Sequence, residues 1–128
     1  MNTGSSIFML VGAIGLVLLL GLPLLIVPMS WGRVLGWKVP EQTDLANYLG
    51  RSLGGVALSI AAVGFLAARD PWQYRAVFDL VILIGILLTG VHVWGFIKKA
   101  QPMIENIEIA VWPLVSFVAW YLYPQQPA

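Results

Sequence analysis

Residues 7–27, "IFMLVGAIGLVLLLGLPLLIV", contain no charged side chain. A helix needs about 20 consecutive apolar residues to cross the hydrocarbon core of a bilayer. This run supplies them, and three more runs approach that length, at about 45–68, 71–98 and 102–123. In hydrocarbon every backbone donor and acceptor must be paired within its own segment, so runs of this length are helices. Strands that cross a membrane are nearer 10 residues and need a closed barrel. The expected fold is therefore all-α, a four-transmembrane-helix bundle running up and down, with one integral membrane domain over residues 1–128.

Composition points the same way. The chain is 59% hydrophobic and 10% charged, whereas a soluble domain carries about 25% charged residues. A chain this short cannot build an interior that hides so much apolar surface from water. Membrane lipids are the expected surroundings. The net charge of +1 gives no electrostatic case for nucleic acid. Cysteine is absent, which excludes disulfides, thiol redox chemistry and thiolate metal sites.

The first run reads as a retained helix, not a signal peptide. It has no basic n-region, its apolar stretch is too long, and no A-x-A site follows. Pro23 cannot donate to the Leu19 carbonyl, so a kink is expected there. Residues 28–44 interleave Trp31, Val34, Leu35 and Trp37 with Arg33 and Lys38, the pattern of an interfacial segment between helices one and two. Asp70 is placed to cap helix three, with Pro71 in its first turn and Gln73 completing a capping-box-like pattern. Pro102 opens helix four in the same way. Arg33, Lys38, Arg51, Lys98 and Lys99 fall on the side of the first and third connections, and only Arg69 and Arg75 on the other. That bias puts both termini outside the cytoplasm.

Helix two carries Gly50, Gly54, Ala57, Ala61, Gly64 and Ala68 at three-four spacing. Such a stripe lets helix backbones approach closely in lipid. It serves either a tight bundle within the chain or an interface with another one.

Polar side chains in membrane helices are costly and usually face protein or a cavity. On the lysine-bearing side they are Arg51, His92, Glu105 and Glu108. His92 shares a stripe with Gly85 and Thr89. Glu105, Glu108, Trp112, Ser116, Ala119 and Tyr123 form another. If the stripes face, His92 reaches Glu108 or Glu105, with Arg51 completing a charge-neutral cluster. This is either an interhelical network that sets register or a pocket for a ligand or a proton. On the other side Arg75 and Asp79 lie one turn apart and are expected to pair.

One histidine without cysteine makes no standard zinc site, so no metal is expected. No Glu-x-x-His pair, phosphate loop or nucleophile elbow occurs. No catalytic group is assigned and no enzyme is expected. No cofactor is expected either, with a quinone or tetrapyrrole contact at His92 as the alternative.

"YLGRSLGG", "AARDPWQYR", "GVHVWG" and "QPMIENIEIAVW" together resemble the BphX-like family of small bacterial four-helix membrane proteins, over roughly residues 36–124. DoxX-like proteins are a more distant likeness. Gly50, Arg51, Arg69, Asp70, Pro71, Tyr74, Arg75, His92, Glu105 and Glu108 carry the resemblance. It implies a multi-pass protein of the bacterial inner membrane and names no reaction. The expected function is a non-catalytic accessory or scaffold subunit of a larger membrane assembly, joined to other membrane subunits or to itself. The alternative is binding or transport of a small hydrophobic or aromatic ligand at the Arg/His/Glu layer.

Overall fold

The computed structural model describes residues 2–126, and these are helical with no strand among them. In chain order the elements are α1 (Thr3–Leu16), a π-helical turn (Val17–Gly21), α2 (Leu22–Ile26), α3 (Pro28–Val34), α4 (Asp44–Arg69), α5 (Arg75–Ile97), a 3-10 turn (Met103–Ile107) and α6 (Glu108–Tyr121). They make four helical rods long and apolar enough to cross a membrane: Thr3–Ile26, Asp44–Arg69, Arg75–Ile97 and Met103–Tyr121.

Where proline sits, the rods depart from a plain α-helix. Pro23 does not simply kink the first one. The turn before it widens, and the Leu22 N–H reaches back to the Val17 carbonyl. A π turn of this kind accommodates a break in the hydrogen-bond ladder without unwinding the rod. The rod ends at Val27, with φ −133° and ψ 54°. The ring of Pro28 pushes the preceding residue out of the helical region, and Pro28 then opens α3 at a position where no N–H is needed. The connection expected to be interfacial thus begins as a short helix and then runs irregularly from Leu35 to Thr43.

α5 starts at Arg75, four residues later than the Pro71 expected from the cap pattern. Asp70 does cap, accepting the Gln73 N–H at 3.0 Å. It caps a separate single turn, closed by Tyr74 N–H to the Asp70 carbonyl at 3.2 Å. α6 is shorter than the run suggested, because its first turn is 3-10. It also contains Pro113, which leaves the Ile109 carbonyl without its helical donor.

The small face of α4 packs inside the chain. Ala57, Ala61 and Gly64 are buried, and Gly64 lies against Ala13. A Cβ on Gly54 would stand 2.5 Å from the Leu25 backbone nitrogen, and one on Gly50 would stand 2.6 Å from Pro28. The stripe therefore serves the first rod and α4. Its last inward position is Ala67, fully buried, with Ala68 half-buried beside it. α5 packs on α6, giving a second pair of rods, while contact between α4 and α5 is sparse.

The bonds that join the two pairs lie at their ends. At the end holding both termini, Met9, Ala67, Val77 and Phe78 form a buried cluster flanked by Phe8, Tyr74 and Tyr123. There the Ser5 hydroxyl donates to the Leu122 carbonyl at 2.7 Å. Asn2 and Gln125 exchange hydrogen bonds of 3.0 and 3.1 Å. At the lysine-bearing end, Gly36 turns at φ +84°, and a Cβ on it would stand 3.3 Å from the Pro102 ring. Glycine suits both the backbone angle and the approach.

Candidate functional site

His92, Glu105 and Glu108 meet at the lysine-bearing end of the α5–α6 pair. Each offers a donor atom within 4.8 Å of the others. Helix register brings them together. Gly85 has no side chain, so Ser116 and the Trp112 carbonyl press directly onto it, and the Ser116 hydroxyl donates to the Ile82 carbonyl at 3.1 Å. Seven residues, or about two turns, beyond Gly85 the same face presents His92. It lies opposite Glu108, the first residue of α6. The Gly85–Thr89–His92 stripe and the Glu108–Trp112–Ser116 stripe thus face one another.

His92 is 9% exposed and Glu105 8%. Nε2 of His92 lies 2.9 Å from Oε2 of Glu108. Trp112, one turn on, donates its indole N–H to the same oxygen. Glu105, on the 3-10 turn, accepts the Trp37 indole N–H on Oε1 at 2.9 Å. Its Oε2 lies 3.9 Å from Nδ1 of His92, too far for a hydrogen bond. Nδ1 is buried with no hydrogen-bond partner. Beside the cluster, the Gln101 amide donates to Asn106 at 2.8 Å. Two surface depressions of about 410 and 260 Å³ lie at the same end, the larger lined by Trp37, Lys38 and Lys99 among others and the smaller by Phe96, Lys99 and Asn106 among others, and none of the three cluster residues lines either.

Arg51 does not join this cluster. It is exposed on α4, and the His92 contacts are the only ion pairs among the described residues. The reason is rotational. Gly50 faces Pro28 of α3 and Gly54 faces the first rod, and the residue after Gly50 points about 100° away from that face. The charge-neutral cluster expected from sequence therefore lacks its arginine.

Arg75 and Asp79 do not pair either. Arg75 donates to the Trp72 carbonyl at 3.3 Å and lies over the Trp72 ring, 4.7 Å from its centroid. Side chains on a helix lean toward its N-terminus, which carries the first residue of α5 away from Asp79 and onto the preceding turn. Asp79 instead accepts the Tyr123 hydroxyl at 3.1 Å. Partial burial pushes the Tyr123 hydroxyl above its ordinary pKa, and the Asp79 carboxylate adds to the rise against an opposing pull from Arg75.

Of two further members of the site, Trp112 was already on the stripe expected from sequence to face His92, since it follows Glu108 at the four-residue spacing that puts both on one helix face. Trp37 was not, because it arrives from a connection 68 residues away in sequence. The chain matches no family model, no curated protein and no solved structure.

Proposed function

We propose that the chain is a non-catalytic integral membrane subunit, an accessory or scaffold part of a larger assembly. One observation carries this reading. Only 11% to 28% of each membrane-capable span is buried within the chain. Large side chains such as Leu53, Val56, Leu83, Leu87 and Trp94 stay more than half exposed. In lipid, further helices can pack on such a surface through van der Waals contact and close fit. The resemblance to BphX-like proteins supports a bacterial inner membrane as the location of that assembly. The lysine and arginine bias supports an orientation with both termini outside and the Pro28–Val34 helix on the cytoplasmic side. Purification in mild detergent, with in-membrane crosslinking beforehand, should recover other membrane subunits or a defined oligomer. Recovery of the single chain alone under both conditions would sink the proposal.

A second reading is favoured by the unpartnered Nδ1 of His92. The His92–Glu105–Glu108 layer then binds a ligand, a quinone or tetrapyrrole among hydrophobic ones. A His92→Ala chain that stays folded should lose any copurifying molecule seen by mass spectrometry or visible absorbance. The reading fails for hydrophobic ligands if the unmutated chain carries none.

A further inference from the structure

The His92–Glu105–Glu108 cluster has an electrostatic deficit. The buried carboxylate of Glu105 and the part-exposed one of Glu108 share one corner with a single imidazole, and no lysine or arginine among the described residues pairs with either. Lys38 and Lys99 line the depression beside Trp37 without forming an ion pair. With both carboxylates ionised, even a protonated His92 leaves one negative charge unbalanced. Buried charge without compensation is costly.

The geometry shows where compensation fits. A carboxylate oxygen only accepts, so the 2.9 Å contact puts a proton on Nε2 of His92. In the neutral ring Nδ1 is then a bare lone pair. It faces Oε2 of Glu105, a second lone-pair group, across 3.9 Å. Two acceptors facing each other in a buried place repel. A first-row divalent cation sits about 2.0–2.2 Å from an imidazole nitrogen or a carboxylate oxygen, so in tetrahedral geometry it holds two such donors about 3.3–3.6 Å apart. The 3.9 Å gap closes to that width when either side chain shifts by a few tenths of an ångström.

The surroundings are those of a ligand set held in place. Trp37 pins Oε1 of Glu105 and leaves Oε2 turned to the ring. Glu108 accepts the other ring N–H, the arrangement by which an outer carboxylate fixes the tautomer and orientation of a metal-binding histidine. Trp112 in turn holds Glu108. The Glu108 side chain is 37% exposed, so water can reach the remaining coordination positions.

We propose that this corner binds one divalent first-row transition-metal ion, seated between Nδ1 of His92 and Oε2 of Glu105, with Glu108 as the carboxylate that positions the ring. Imidazole with carboxylate suits Zn²⁺, Fe²⁺ or Mn²⁺ better than Mg²⁺ or Ca²⁺. The proposal rests on the second reading above and names its ligand class. It does not depend on the subunit role.

His92 is the only histidine in the chain, which makes the test direct. The full chain is purified in detergent without a polyhistidine tag and stripped with chelator. It is then titrated with Zn²⁺ by calorimetry and with Co²⁺ by visible absorption. Histidine labelled with ¹⁵N reports the ring. One ion per chain should bind saturably, and the His92 resonances should shift with it. Glu105→Gln should weaken binding at least about 100-fold, and Glu108→Gln about 10–100-fold, the range for removal of an outer carboxylate. Glu105→Asp keeps a carboxylate and should retain weakened binding, and circular dichroism checks that each variant remains helical. Absence of saturable binding overturns the proposal. So does binding that leaves the His92 resonances unmoved, or a folded Glu105→Gln chain that binds like the parent. A silent metal titration alongside a copurifying quinone or tetrapyrrole overturns the cation and leaves the second reading standing.

Discussion

At the scale of single residues, the partner a polar side chain takes is not always its neighbour on the helix. Asp79 is an example. Its obvious neighbour is Arg75, yet it takes the Tyr123 hydroxyl from the far end of the chain. A pH dependence follows, with a definite sign. The Tyr123 pKa in the folded chain lies above its ordinary 10.0. Between the two values the folded state holds the proton more tightly, so the contribution is fully present below about pH 10 and is lost as pH rises through the folded pKa. Tyr123→Phe should flatten the alkaline limb of the stability curve, read by thermal unfolding in detergent between pH 8 and 11, roughly the range around a tyrosine pKa. An unchanged alkaline limb would count against the Asp79 contact. The spacing of Arg75 and Asp79 gave no hint of this, because Tyr123 lies 44 residues away from Asp79 in sequence.

At the scale of elements, α4 is the most legible part of the molecule. Its small residues recur at three-four spacing, and the backbone approach they permit is used against Leu25, Pro28 and Ala13. Gly54 and Gly55 are adjacent and make a controlled comparison. A side chain on Gly54 meets backbone, while one on Gly55 meets nothing within 4 Å. Gly54→Leu should destabilise the pairing of α4 with the first rod by about 1–3 kcal/mol, the usual toll of overpacking. Gly55→Leu should stay within about 0.5 kcal/mol. Denaturation by increasing mole fraction of ionic detergent separates the two, and equal effects would mean that α4 faces elsewhere. The element boundaries were less legible. Pro71 and Gln73 form a start signal, but the turn they build closes on itself and α5 begins afresh at Arg75.

At the scale of the whole molecule, two pairs of rods are held together at both ends. One latch is Ser5 to Leu122 and the other is Trp37 to Glu105. Ser5→Ala should lose about 0.5–1.5 kcal/mol, a typical net hydrogen bond. Trp37→Phe should lose about 1–3 kcal/mol, because it strips a buried carboxylate of its donor. The latches share no partner and sit at opposite ends of the rods. Their effects should therefore add within about 0.5 kcal/mol in a double-mutant cycle. Strong coupling between them would show that the pairs separate as one rigid body.

The number of rods, their approximate spans and the small face of α4 followed from the order of residues alone. Those properties are local: length against bilayer thickness, and side-chain size at a helical period. Facing of the α5 and α6 stripes was readable as a possibility, since a short connection and equal depth put His92 level with Glu108. Which groups surround His92 was decided by tertiary structure. Arg51 turned outward because Gly50 and Gly54 already pack on Pro28 and the first rod. Trp37 came in because Gly36 folds the connection over Pro102. A charge cluster is the sum of directions taken by side chains on separate elements, and rotation of one helix by a single residue, about 100°, changes its members. That is why the sequence could supply a histidine and two glutamates to one end of the bundle, while only the packed rods could leave Nδ1 facing Glu105 with no arginine between them.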